Sequence, residues 1–174
     1  MNILDKIIAD KKREVELKRS IIPVSQLEAS VLFNSRTQSM SKLLKNSNSG
    51  IIAEHKRRSP SKAIINNNHS VEDVVTGYQN AGVCGISMLT DGKYFGGSLD
   101  DLLLAKASVT IPLLRKEFIT DEYQILEAKA FGADVILLIA AVLTREQIKQ
   151  LSEFAQSLGL EVLLEIHDLE ERFK

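Results

Sequence analysis

Residues 111–143 read IPLLRKEFITDEYQILEAKAFGADVILLIAAVL. The apolar run Ile111–Arg115 has strand character, and Thr120–Phe131 follows with helical spacing of its apolar residues. Gly132 then stands where a helix ends on a left-handed residue. A second apolar run, Val135–Ala140, begins just beyond it. Two short continuous apolar strands joined by a helix describe a βαβ unit, the building block of a parallel sheet covered by helices.

The same alternation extends in both directions. Further strands are expected at Ile51–His55, Gly85–Thr90 and Glu161–His167, and further helices at Val71–Ala81, Leu99–Ala107 and Thr144–Leu158. Gly82 and Gly159 follow two of these helices, as Gly132 does. The strands start about 25–35 residues apart, the repeat of a β/α unit. No GxGxxG or GxxxxGK[ST] motif occurs, which speaks against a Rossmann or P-loop site. The expected fold is α/β, either a small open parallel sheet or the front part of a (β/α)8 TIM barrel with about five of its eight units, and the last residues, HDLEERFK, enter a fifth helix.

Residues 1–50 precede this alternation and read as a helical extension, with 51–174 as the β/α domain, an open sheet or an incomplete barrel. Ile3, Leu4, Ile7, Ile8, Val15 and Leu17 predict one apolar face on a first helix, its charges forming a solvated face. Helices are also expected over Val24–Leu32 and Met40–Leu44, followed by the loop KNSNSG.

Composition narrows the partners. The chain is 44% hydrophobic and 26% charged, with a net charge of −1, so no overall field favours nucleic acid or a membrane. The single cysteine, Cys84, excludes an internal disulfide and multi-cysteine metal sites, and reads as a buried thiol. No continuous apolar leader opens the sequence, and Val135–Leu143 is far too short to span a bilayer, so the cytoplasm is expected.

Chemistry in parallel α/β folds gathers at the C-terminal ends of strands. Glu54 and Lys56 lie two residues apart in the first strand and share a face; Lys116 ends the third strand and Glu165 the fifth. Converging lysines and glutamates keep one another charged and supply proton donors and acceptors. That set points to acid–base chemistry on an anionic substrate, and no His/Cys/Asp cluster has metal-ligand spacing. The basic run KRRSPSK has no interleaved aromatics and begins inside a strand, which argues against nucleic acid.

Four stretches carry a resemblance to a known family. IIAEHKRRSPSK resembles the first barrel strand and loop of indole-3-glycerol phosphate synthases, usually close to IAEIKRRSPSKG. ISMLTDGKYFGGSLDDL, the 111–143 stretch and LGLEVLLEIHDLEE resemble the following units in order. The resemblance implies a (β/α)8 barrel whose N-terminal extension helps cover the mouth, working without metal or organic cofactor. Its reaction closes the pyrrole ring of 1-(2-carboxyphenylamino)-1-deoxyribulose 5-phosphate with loss of CO2 and water, in tryptophan biosynthesis. It makes Lys116 the general acid, Glu165 its partner in proton transfer and dehydration, Lys56 an anion contact and Glu54 their orienting carboxylate. Ser59 and Pro60 would border the anthranilate-derived ring, with Phe95, Phe118 and Leu137 as apolar walls.

Departures from the family pattern are His55 for an apolar residue, Ala63 for glycine, NNN in the same loop and Glu117 for aspartate. His55 is expected to face the helix layer. Nothing matches the family's last three strands, so a truncated chain with little activity alone is expected, self-associating through exposed sheet edges. The alternatives are another phosphate-binding barrel such as phosphoribosylanthranilate isomerase, or a non-catalytic interaction fragment.

Overall fold

The computed structural model describes residues 2–66, 68–168 and 171. Three helices come first: α1 (Ile3–Ile21), α2 (Val24–Glu28) and α3 (Met40–Asn46). Strands and helices then alternate as β1 (Ile52–His55), α4 (Val71–Asn80), β2 (Gly85–Leu89), α5 (Gly92–Phe95) and α6 (Leu99–Ser108). The series continues through β3 (Leu113–Lys116), α7 (Glu122–Ala130), β4 (Val135–Ile139), α8 (Arg145–Ser157) and β5 (Glu161–Glu165). All five strands are parallel and pair in sequence order, β1-β2-β3-β4-β5, which makes a partial (β/α) barrel.

Side-chain-capped N-termini open the barrel helices. Ser70, Ser98, Asp121 and Thr144 each accept a backbone N–H from the first turn, filling donors a helix start leaves free. Gly132 adopts φ 87° just after α7, a conformation other residues take only with strain, and so turns the chain back toward β4.

Two apolar layers follow from the strand period of two. Ile86, Met88, Leu113, Ile136 and Leu138 face outward and pack beneath the helices with Val75, Leu102, Ile125 and Leu151. Leu114, Val135, Leu137 and Ile139 face inward, where Met40 of α3 closes the N-terminal end of the sheet. Cys84 is buried, as expected.

Several elements differ from the sequence expectation. The second helix stops at Glu28 instead of Leu32, because turns continue the chain and the Ser30 hydroxyl donates to the Ala130 carbonyl. β3 starts after Pro112, which has no N–H to give a ladder, and runs to Lys116. α5 is an extra short helix, capped by Asp91. On α1 the solvated-face reading fails for one cation: Ile7, Lys11 and Val15 form the buried stripe, while Ile3 and Leu17 are exposed. Lys11 is buried because carboxylates meet it. The fifth helix falls largely outside the described residues, as does Asn67 of the NNN loop.

Candidate active site

Register places the charged groups. Glu54 aligns with Ser87, Ser87 with Leu114, Leu114 with Val135 and Val135 with Glu161, so these residues share the inner face. Lys116 is two residues beyond Leu114, and Glu165 four beyond Glu161, on that same face. Each therefore emerges at the C-terminal rim of the sheet.

There the four groups meet. The Lys116 ammonium lies 3.2 Å from Glu54 Oε2 and 3.9 Å from Glu165 Oε2. Lys56 Nζ donates to Glu54 Oε1 at 2.7 Å. All four side chains are half-buried. Burial alone would raise the Glu54 carboxyl, but the hydrogen bond from Lys56 and the Lys116 charge outweigh it and hold it below the usual carboxylate range. The group thus stays ionised and fixes both ammonium groups.

A cavity of about 210 Å³ opens over these charges. Its apolar wall is formed by Leu89, Phe95, Phe118, Leu137 and Ile139. The Phe95 and Phe118 rings stand 5.9 Å apart at a tilt of 37°, forming an aromatic wall beside the lysines. Among the described residues no group of three or more His, Cys, Asp or Glu side chains is arranged to hold a metal ion.

Of the sequence-expected residues, Glu54, Lys56, Lys116, Glu165, Phe95, Phe118 and Leu137 all line this cavity. Ser59 and Pro60 do not. Ser59 is held in a tight turn, its N–H bonded to the Lys62 carbonyl at 2.8 Å and its hydroxyl accepting from Lys62 N–H. The two arginines between them and the strand are committed elsewhere. Arg57 pairs with Asp101 and donates to the Gly96 carbonyl at 3.1 Å; Arg58 donates to the Gly92 carbonyl at 2.7 Å. They tie the loop after β1 to the loop after β2.

Sequence reasoning passed over several neighbours. His167 Nε2 sits 3.2 Å from Glu165 Oε1, brought back by the turn that follows β5. Lys11 reaches from α1 to Asp91 Oδ2 at 3.0 Å and Glu117 Oε1 at 3.3 Å, beneath the cavity wall. Burial works against the Lys11 charge, but Glu117, Glu14 and Asp91 together hold its pKa above the ordinary lysine value. The available signal was its position: a cation four residues from Ile7 and four from Val15, on the helix's own apolar stripe. Arg115 lies on the outer face of β3, buried, with Glu127 at 3.1 Å and the Thr90 hydroxyl at 3.1 Å.

Fold and site together define a class: an α/β-barrel chain with an acid–base cluster at its strand ends and an aromatic wall beside it. A family model described as indole-3-glycerol phosphate synthase matches residues 4–173. The chain is 49% identical over 170 residues to an indole-3-glycerol phosphate synthase of Bacteroides thetaiotaomicron, covering 98% of this chain and 65% of that protein. It is 43% identical to one from Aliarcobacter butzleri (99% and 67% covered) and 38% to one from Neisseria meningitidis (96% and 66%). The chain belongs to the indole-3-glycerol phosphate synthase family, and spans about two thirds of the length of these relatives.

Proposed function

We propose that the site carries out the family's carbon–carbon bond formation, the ring closure of 1-(2-carboxyphenylamino)-1-deoxyribulose 5-phosphate, a lyase step in tryptophan biosynthesis with a cytoplasmic setting. The observation that carries this is the Lys116 ammonium, held between Glu54 and Glu165 at the edge of an apolar, aromatic wall.

The aromatic carbon bearing the carboxylate attacks the ketone carbon, and the ketone oxygen gains negative charge. Lys116 donates a proton to that oxygen, a group placed where charge develops. The carboxylate leaves as CO2, and its electron pair restores the aromatic ring. The new hydroxyl then leaves as water, with Glu165 receiving the proton lost from the ring system and Lys56 assisting the departing oxygen. Lys56 also attracts the anionic substrate, and Phe95, Phe118 and Leu137 hold its ring against the reacting carbons. Keeping a flexible substrate folded removes much of the entropy cost of cyclisation. Residues 1–50 serve as an extension of the barrel unit, through α1 docked on the strand ends.

In this reading the chain, which spans about two thirds of its relatives' length, turns over slowly. Single-turnover fluorescence detection of indole product tests the assignment. Product from the unsubstituted chain, reduced about 10²–10⁴-fold in Lys116→Met, is the expected result, the range general acids contribute. Equal rates from both proteins, or no substrate binding by calorimetry to the unsubstituted chain, would overturn it. The apolar Leu163 and Leu164 of β5 are each about 40% exposed, so we also propose self-association through this strand. A monomeric mass by light scattering at high concentration would count against that.

A further inference from the structure

We propose that Lys11 is a positioning residue for the aromatic wall of the cavity, acting through the two buried carboxylates it joins. Its side chain is 3% exposed, although it belongs to a helix that lies outside the barrel repeat. The ammonium meets Glu14 Oε2 at 2.7 Å, Asp91 Oδ2 at 3.0 Å and Glu117 Oε1 at 3.3 Å. Asp91 stands at the end of β2 and Glu117 at the end of β3, so one cation spans two neighbouring strand ends.

Each of these carboxylates grips the backbone of one ring. Asp91 Oδ1 accepts from the Tyr94 N–H at 2.6 Å and the Phe95 N–H at 3.2 Å, capping α5. Glu117 Oε1 accepts from the Phe118 N–H at 2.9 Å, while its Oε2 accepts from the Thr90 hydroxyl at 2.9 Å. Both carboxylates are about 1% exposed, so neither can turn to water for a replacement partner. Arg115 is the other cation facing Glu117, at 3.8 Å, and is already bonded to Glu127. Without Lys11, Asp91 and Glu117 would repel each other in a buried space, and the distance between the peptides they hold would change. The separation of Phe95 and Phe118 is therefore set from α1. The contacts of Asp10 with Lys93 and with the Tyr94 hydroxyl tie the same helix to α5, but carry no link to Phe118.

This rests on the proposed function only for what the wall contacts; the geometry itself can be read without turnover. The chain is labelled with 4-fluorophenylalanine, and the Phe95 and Phe118 resonances are assigned by replacing each with leucine. In Lys11→Met both resonances shift and broaden, while Phe33, Phe131 and Phe154, which pack around Leu27 and Tyr123, stay in place. Lys11→Arg, which keeps the charge, restores them. Calorimetric affinity for the carboxyphenylamino ribulose phosphate falls about tenfold in Lys11→Met, a loss of about 1.4 kcal/mol. Should Lys11→Met not fold, Glu117→Gln moves the Phe118 resonance alone, since it removes the charge that ties Glu117 to Lys11 and leaves the Lys11–Asp91 link to Phe95 in place. Unmoved Phe95 and Phe118 lines in a folded Lys11→Met, an unmoved Phe118 line in Glu117→Gln, or an equal shift of Phe33, Phe131 and Phe154 along with them would each overturn the proposal. Loss of affinity for the substrate in every protein, with the resonance pattern as expected, would overturn the proposed function instead.

Discussion

Replacing His55 by isoleucine should stabilise the protein, and more so in mild acid. His55 sits on the outward face of β1, 2% exposed, beneath the helix layer where an apolar side chain would pack. Its Nε2 has no hydrogen-bond partner among the described residues. A buried unpartnered polar atom costs about 1–3 kcal/mol, while fitting a side chain of different shape costs up to about 1.5 kcal/mol. The net gain near pH 7.5 is then about 1 kcal/mol. Burial also pushes the imidazole below its ordinary value of 6.5, with the nearby Arg57 charge adding to it and Asp101 opposing. The folded state thus holds a neutral ring while the unfolded chain protonates as pH falls through 6.5, so stability is full above that value and declines below it. Between about pH 7.5 and pH 5.5 that linkage is worth at most ~1.4 kcal/mol for one histidine. Urea unfolding of both proteins at the two pH values isolates it, because every other ionisable group is common to both and cancels in the difference. A gain that grows by roughly 1 kcal/mol on acidification is expected. If His55→Ile is the less stable protein at both pH values, with an unchanged difference between them, the burial argument is wrong.

Asp134→Asn should cost about 3 kcal/mol in chemical denaturation, the low end for a broken buried ion pair. Asp134 is 1% exposed and accepts from Lys106 Nζ at 3.0 Å, the Leu113 N–H at 2.9 Å and the Gln38 N–H at 2.8 Å, and asparagine keeps one acceptor oxygen. A cost under about 1 kcal/mol would show that these bonds are replaceable. Gly97→Ala should destabilise by about 3 kcal/mol and disturb the end of β2, since its Cβ would come within 1.9 Å of the Leu89 carbonyl oxygen. A thermal midpoint unchanged from the parent would contradict that clash.

Local pattern in the chain was enough for the strand–helix alternation, the inner and outer faces of the strands, and the four charged residues at strand ends. These properties repeat every two or 3.6 residues and need no knowledge of distant contacts. The same reasoning placed His55 in the helix layer, because it alternates with Glu54 and Lys56. It could not show that Glu54 serves both lysines, since the 3.2 Å approach of Lys116 depends on the register of β1, β2 and β3 together. Nor could it name what holds Arg57 and Ser59 of KRRSPSK away from the cavity. Arg57 is taken by Asp101, 44 residues away, and Ser59 by its own turn, so neither reaches the cavity. Lys11 is the sharpest case. Charge alone marks it as solvated, and only the folding of β2 and β3 beneath α1 brings two carboxylates to it, which makes burial of the ammonium favourable. Periodicity settles which face a side chain occupies, whereas the partners that keep a buried charge in place come from elements far apart in the chain and exist only once those elements have packed.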